Sequence, residues 1–286
     1  MVVPKTLIEV TVVGNDRKGV VADVTNFIFT IGGNIEKVNQ NVVRGLFGMQ
    51  LEASFQTIDK KKIDFGMRSL AKKLGMEIRV HYEEPSRLRN IAIFASKEPN
   101  CLLRILEAKE NGLINANIPV IIGSEGTMGP IADGNRIPFH IVDDKQDPIL
   151  AENKILKLTE QYNIDLIILA RYMRILSPNF VWRYPNRIIN IHPSLLPAFP
   201  GAYAYVQAYE RGAKIVGCTA HFVTEDLDQG PIIYQESFRV KELDTLDTIR
   251  QKGQSLEAET LLKATKLYLE GKLEIYWGRV HILGNI

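Results

Sequence analysis

Across residues 7–13 apolar and polar positions alternate, with Ile8, Val10 and Val12 on one side, the two-residue period of a half-buried strand. Gly14-Asn15-Asp16 breaks that run. Between Gly19 and Ile31 the period changes: Val20, Val24, Phe27, Ile28 and Ile31 recur at three- and four-residue spacing, which predicts an amphipathic helix. Gly32-Gly33-Asn34 ends it, glycine being the residue that tolerates the left-handed conformation past a helix end. Strand-like runs over 35–43 and 46–58 flank a hairpin turn at Arg44-Gly45. A short helix over 63–74, Gly75, and a last strand over 76–82 complete the order βαββαβ, the ferredoxin-like pattern. Lys60-Lys61-Lys62 reads as a solvated loop tip and Glu83-Glu84-Pro85-Ser86 as a linker.

A different rhythm follows. Residues 90–95 and 118–122 are buried-type strands around a helix at 101–111, and a third strand at 138–142 leads to a helix over 147–162. The most apolar strand, 166–170, suits the centre of a parallel sheet covered on both faces. Ser177-Pro178 opens a helix, with serine as cap and proline at the first helical position. Strands at 187–190, 215–222 and 232–239, a long helix over 245–269 and a short strand pair end the chain. Strands alternating with helices predict a doubly wound α/β sheet, so the chain divides into domains at 1–84 and 88–286. Ligands of such sheets bind outside the carboxyl ends of the strands, where the strand order reverses.

Charge narrows the choice of partner. The formal net charge is +2, with 12 cationic against 10 anionic residues up to residue 86 and 23 of each after it. Nucleic-acid binders concentrate cations against several phosphates, so nucleic acid is not the expected partner. Cys101 and Cys218 are too few for a disulfide framework or a four-thiolate zinc site. The start of the chain lacks an export-signal pattern, and no apolar run approaches the roughly 20 residues of a membrane span. A cytoplasmic location without membrane contact is the expectation.

Two runs carry candidate chemistry. Asn190-Ile191-His192-Pro193-Ser194-Leu195-Leu196-Pro197 begins at a strand end, and side chains two apart on extended backbone point the same way, so Asn190 and His192 project together. The second run, His221 to Pro231, is acidic and ends in Gly230-Pro231. Together they offer an amide donor, an imidazole and a carboxylate, the parts needed to hydrolyse or transfer an acyl group without a covalent intermediate. A site of His192, His221 and Asp228 around a metal uses the same residues, although no HExxH spacing accompanies it. Neither cysteine lies in a nucleophile motif and there is no GxSxG elbow. Trp182 and Trp277 read as packing residues.

Both runs resemble the folate-dependent formyltransferase superfamily, through Asn190-Ile-His192-Pro-Ser-Leu-Leu-Pro197 and His221-Phe-Val-x-x-x-x-Asp228-x-Gly230-Pro231. Asp16-Arg17-Lys18-Gly19-Val20-Val21 with Gly32-Gly33-Asn34-Ile35 resembles the ACT signature, with Lys18 where proline is common. An ACT domain joined to a Rossmann-like formyltransferase domain is the layout of the formyltetrahydrofolate deformylase family. The resemblance implies hydrolysis of 10-formyltetrahydrofolate to formate and tetrahydrofolate, supplying formate for purine biosynthesis and balancing one-carbon folate pools. It implies Asp228 as the group that handles water and its protons, His192 and Asn190 as oxyanion stabilisers, and neither metal nor other cofactor. The folate pocket would be lined by Met173, Arg174, Ile175 and Leu176, with Val223 and Asp226 on the opposite wall. In the ACT domain, Asn15, Asp16, Gly19 and Val20 would bind an amino acid such as glycine or methionine, at an interface within a homo-oligomer, tetramers included.

Three stretches depart from that family's usual sequence. Asn100 stands where histidine is expected, Gly123-Ser124-Glu125 where Ser-Asn-His is usual, and Ala204-Tyr205-Val206-Gln207-Ala208 where Pro-Tyr-(His or Lys)-Gln-Ala is typical. All lie on the acceptor side of the pocket. The loop Ser96-Lys97-Glu98-Pro99-Asn100-Cys101 has no glycine with which to cradle an acceptor's phosphate. Two other activities use the same residues: formyl transfer to an amine, or amino-acid sensing by a chain that does not turn over.

Overall fold

The computed structural model describes residues 6–82, 87–143, 147–198 and 203–284. The 83–86 linker and Gly201-Ala202 lie outside the described residues. The chain forms two compact units, Met1–Arg87 with Ser177–Pro185, and Leu88–Leu176 with Asn186–Ile286.

The first unit runs β1 (Thr6–Asn15), α1 (Val20–Thr30), β2 (Asn34–Val43), β3 (Leu46–Phe55), α2 (Lys60–Leu74) and β4 (Glu77–Tyr82). Its sheet has the antiparallel order β2-β3-β1-β4. Ile8, Val10 and Val12 are buried in one core with Val24 and Ile28 of α1 and with Ile63 and Met67 of α2, so the two periodicities meet in one apolar layer. The hairpin between β2 and β3 turns on Arg44 and Gly45, both at positive φ (50° and 80°), as a tight hairpin of this hand requires. The three lysines are the first turn of α2 and not a loop tip: the Asp59 side chain accepts from the Lys62 N–H at 3.1 Å and starts the helix there. That turn is polar on every side, so hydrophobic spacing does not reveal it.

Ser177–Pro185 groups with the first unit, whereas a linear reading places it in the second. The anticipated helix there is one turn, Pro178–Val181, capped by the Ser177 hydroxyl accepting from Phe180 N–H at 3.3 Å. Arg183 donates from Nη2 and Nε to Glu77 Oε2 at 2.7 and 2.9 Å. The Trp182 indole lies over Gly48, where a Cβ would come within 2.3 Å of the ring. Gly48→Ala is therefore expected to destabilise the first unit by about 1–3 kcal/mol, the usual range for overpacking. Denaturant unfolding followed by Trp fluorescence checks this, and an unchanged midpoint would contradict the packing.

The second unit contains β5 (Arg89–Ala95), α3 (Asn100–Glu110), β6 (Ala116–Gly123), α4 (Gly129–Gly134), β7 (Phe139–Ile141), α5 (Pro148–Gln161) and β8 (Leu166–Ala170). After the one-turn helix already described (α6) come β9 (Ile188–His192), α7 (Ala204–Glu210), β10 (Ile215–Phe222), β11 (Ile232–Arg239), α8 (Leu246–Leu269), β12 (Leu273–Tyr276) and β13 (Arg279–Ile282). The seven-stranded sheet has the order β11-β10-β9-β8-β5-β6-β7. Its strands are parallel from β9 to β7, while β10 and β11 are antiparallel to their neighbours. All five residues of β8 are buried, as two covered faces demand. Helices α4 and α7 escape prediction because six and seven residues are too few to display a period. Trp277 is 97% exposed, at φ 53° in the turn between β12 and β13, and is not a packing residue.

The chain passes from β5 outward to β6 and β7, then returns to β8 on the other side of β5. The loops after β5 and β8 diverge at this switch point, which is where such sheets bind ligands. There the Met173 N–H donates to the Ser96 hydroxyl at 3.1 Å, and Ser96 and Ser124 hydroxyls share a buried 2.7 Å hydrogen bond. No helix of the described residues is long and apolar enough to cross a membrane.

Candidate active site

The β9–β10 pairing sets Thr219 opposite His192 and His221 opposite Asn190. Directly opposed residues in an antiparallel pair share a face, as do residues two apart on one strand. All four polar side chains therefore lie on one side of the sheet. Ile189, Ile191, Cys218, Ala220 and Phe222 alternate to the other side and pack in the core with Ala258 and Leu261 of α8. Strand β9 extends to His192, two residues beyond the predicted end, and this extension brings the imidazole into register.

The loop after His192 is pinned from the facing strand. The Thr219 hydroxyl donates to Ser194 O at 2.7 Å and accepts from Leu196 N–H at 3.0 Å. Gln235 Nε2, in register with Thr219 on β11, donates to that hydroxyl at 2.8 Å and to Leu196 O at 3.1 Å. Thr219 is fully buried, so these bonds do not compete with water.

Asp228 reaches the cluster from the loop between β10 and β11. Its backbone is left-handed at φ 57°, a conformation aspartate adopts more readily than most residues. Two residues on, a Cβ at Gly230 would fall 1.7 Å from Phe222 O, so the loop closes directly against the strand end. Asp228 Oδ2 lies 3.3 Å from His192 Nδ1 and its Oδ1 3.9 Å from His221 Nε2, with the Asp228 and His192 side chains 8% and 6% exposed.

His221 is the residue that sequence reasoning left without a role outside the metal alternative. Its Nδ1 is 2.8 Å from Phe222 O and its Nε2 is 3.1 Å from Asn190 Nδ2. A carbonyl oxygen only accepts, so Nδ1 carries the proton; Nε2 of the neutral ring then accepts from the Asn190 amide, fixing its orientation. Burial pushes the His221 pKa below its ordinary value, against opposing pulls from the Phe222 carbonyl and Asp228. Register with Asn190 was the signal that could have found it, and it appears only once the strands are paired.

The folate-side candidates divide. Leu176 is buried, Met173 and Ile175 are 61% and 75% exposed, and Arg174 Nη2 lies 3.9 Å from Asp143 Oδ1. The Val223 N–H donates to Ile188 O at 2.9 Å, and Asp226 O accepts from Gln229 N–H at 3.3 Å. In the first unit, Asp16 N–H donates to Gly45 O at 2.8 Å, Asn15 ends β1, and Gly19 at φ 90° precedes α1. Val20 is buried in the core of the first unit.

Burial raises the Cys101 thiol pKa and pushes that of Cys218 up to about 12, which removes both as nucleophiles at neutral pH. Among the described residues no three His, Cys, Asp or Glu side chains are arranged to hold a metal ion.

The lowered His221 pKa has a sign. Below the unfolded value of 6.5 the unfolded chain takes up a proton that the native ring refuses, so stability present above pH 6.5 declines as pH falls toward the native value. His221→Asn is expected to flatten that slope in thermal unfolding between pH 7 and 5; an identical slope in both proteins would show that His221 does not titrate as the geometry requires.

Residues 89–265 match a formyl transferase family model and residues 6–81 an ACT domain model. A formyltetrahydrofolate deformylase of Bacillus subtilis is 39% identical over 267 residues, covering 91% of this chain and 88% of that one. The crystal structure of a formyltetrahydrofolate deformylase from Pseudomonas syringae superimposes with a TM-score of 0.68 at 28% identity, covering 98% and 95% of the two chains. A glycinamide ribonucleotide transformylase from Symbiobacterium toebii gives 0.67 at 34% identity, but matches 71% of this chain against 97% of its own. With both modules and near full-length similarity, the chain belongs to the formyltetrahydrofolate deformylase family.

Proposed function

We propose that the second unit hydrolyses 10-formyltetrahydrofolate to formate and tetrahydrofolate. The contact of Asp228 with His192, beside the Asn190–His221 pair, carries this reading. In it Asp228 takes a proton from a water that adds to the formyl carbon. The resulting oxyanion is held by the His192 side chain, whose Nδ1 faces Asp228, and by the Asn190 amide, whose orientation His221 fixes. Collapse breaks the bond from carbon to N10, the proton passes to N10, and formate and tetrahydrofolate leave. Carbon keeps its oxidation state, so no redox cofactor is required, and the imidazole and amide supply the stabilisation a metal would otherwise give.

Water as acceptor is favoured by the loop after β5. Glu98 accepts from Gln254 Nε2 at 3.0 Å and Asn100 donates to Gln254 Oε1 at 3.2 Å, so a carboxylate and an engaged amide occupy the place where an acceptor phosphate would be cradled. Met173, Arg174, Ile175 and Leu176 would line the pterin pocket, through backbone groups where side chains turn outward, with Val223 and Asp226 opposite. Residues 1–84 would act as the regulatory domain and 88–286 as the catalytic one, in a cytoplasmic homo-oligomer that feeds formate to purine synthesis.

Asp228→Asn should leave the fold intact and lower formate release from 10-formyltetrahydrofolate on the order of 10²–10⁴-fold. Unimpaired release would falsify the role given to Asp228. Running the wild-type assay with and without glycinamide ribonucleotide separates hydrolysis from transfer and from a chain without turnover.

For the first unit, the backbone N–H groups at Gly19 and the start of α1 suit an amino-acid carboxylate, with Asn15, Asp16 and Val20 around them. Calorimetry with glycine and with methionine should give heat for one of them together with a changed rate of formate release. No heat and no rate change with either would remove the regulatory reading.

A further inference from the structure

Behind the proposed site is a buried carboxylate that the reaction scheme leaves unused. Glu257 of α8 is 1% exposed. Its Oε1 accepts from the Tyr205 hydroxyl at 2.5 Å, and its Oε2 lies 3.4 Å from Arg171 Nε. Neither that Oε2 nor that Nε has a hydrogen-bond partner among the described residues, so the ion pair faces no competing acceptor or donor. Burial raises the Glu257 pKa, while Arg171, the Tyr205 hydrogen bond and His192 counteract the rise.

The three residues come from separate parts of the unit. Arg171 follows β8 directly, in the left-handed conformation at φ 60°, and leads into residues 172–176. Tyr205 stands in the first turn of α7, the next helix after strand β9, which ends at His192. Helix α8 is shaped for Tyr205: at Gly253, one turn before Glu257, a Cβ would come within 2.3 Å of the phenol ring. Positions four apart lie on the same helix face, so Gly253 clears the space for the ring and Glu257 receives its hydroxyl.

A buried ion pair seldom gains much stability over well-packed apolar residues, because desolvation offsets the attraction. What it supplies is a fixed geometry between the elements that contribute its members. We propose that Glu257 is a positioning residue that ties the start of the 171–176 loop, on the folate side, to α7 on the acceptor side, and so holds that folate wall in place. This rests on the folate reading of the site.

The test uses the full chain with Tyr205→Phe, which keeps the ring in its Gly253 socket and removes only the hydroxyl, with Glu257→Gln, and with the double variant. Tetrahydrofolate affinity is measured by calorimetry, and KM and kcat from formate release. The expected result is a roughly 10-fold weaker tetrahydrofolate Kd and raised KM in each single variant, kcat changed far less, and no further loss in the double variant. A Kd equal to wild type, with or without a lower melting temperature, overturns the proposal, as do fully additive losses. A wild-type chain that binds tetrahydrofolate but releases no formate would refute the hydrolase reading alone, since the affinity comparison still decides the role of Glu257; wild type that binds no folate refutes both.

Discussion

The register between β9 and β10 is the constraint from which the site follows. Antiparallel pairing places Thr219 against His192 and His221 against Asn190, and the strict alternation of a strand then sends all four to one face. A one-residue slip would expose Ile191 and Ala220 and bury the polar set in the layer beneath α8. The apolar residues on the far face, Ile189, Ile191, Cys218, Ala220 and Phe222, thus hold the register that the polar residues use. Core packing and site geometry are two faces of one pairing.

Burial then gives these contacts their character. Around a mostly desolvated carboxylate the electrostatic interactions are stronger than at a surface, and unpaired groups are costly. His221 answers both conditions: a neutral ring with its proton committed to a backbone carbonyl presents a fixed acceptor to Asn190. Thr219 and Gln235 play a comparable part for the backbone after His192, by occupying the polar groups of a loop that two prolines have made short of donors. The groups proposed to react are thereby held in fixed positions by the fold itself, which is the condition for electrostatic preorganisation.

Similarity to both deformylases and transformylases is what a shared formyl-handling centre and divergent acceptor loops would produce. The acceptor-side departures fall outside the Asn190–His221–Asp228–His192 cluster, at Asn100, Gly123 to Glu125 and the start of α7. Asn100 bonds to Gln254, Ser124 to Ser96, and Tyr205 to Glu257, so each altered stretch is engaged in internal hydrogen bonding. The transformylase structure matches 71% of this chain, whereas the deformylase structure matches 98% of it.

Much of this was legible from the chain alone. Strand and helix periods located β1, α1, β8, β10, β11 and α8 to within a residue or two at most ends, because each is long or apolar enough to show its repeat. The motif residues Asn190, His192 and Asp228 stood out through local spacing and family resemblance. What stayed hidden was non-periodic or non-local. The first turn of α2 is polar throughout and the helices α4 and α7 are too short to display a period, and the packing of 177–185 in the first unit involves Gly48 and Glu77, more than a hundred residues away. His221 as the partner of Asn190, Thr219 as the clasp on the loop, and Glu257 beneath Tyr205 and Arg171 are likewise contacts between distant segments. Local sequence determines which backbone shapes are accessible and which chemical groups are on hand; only tertiary packing decides which of them meet, since sidedness and burial arise when the strands pair and the helices cover them.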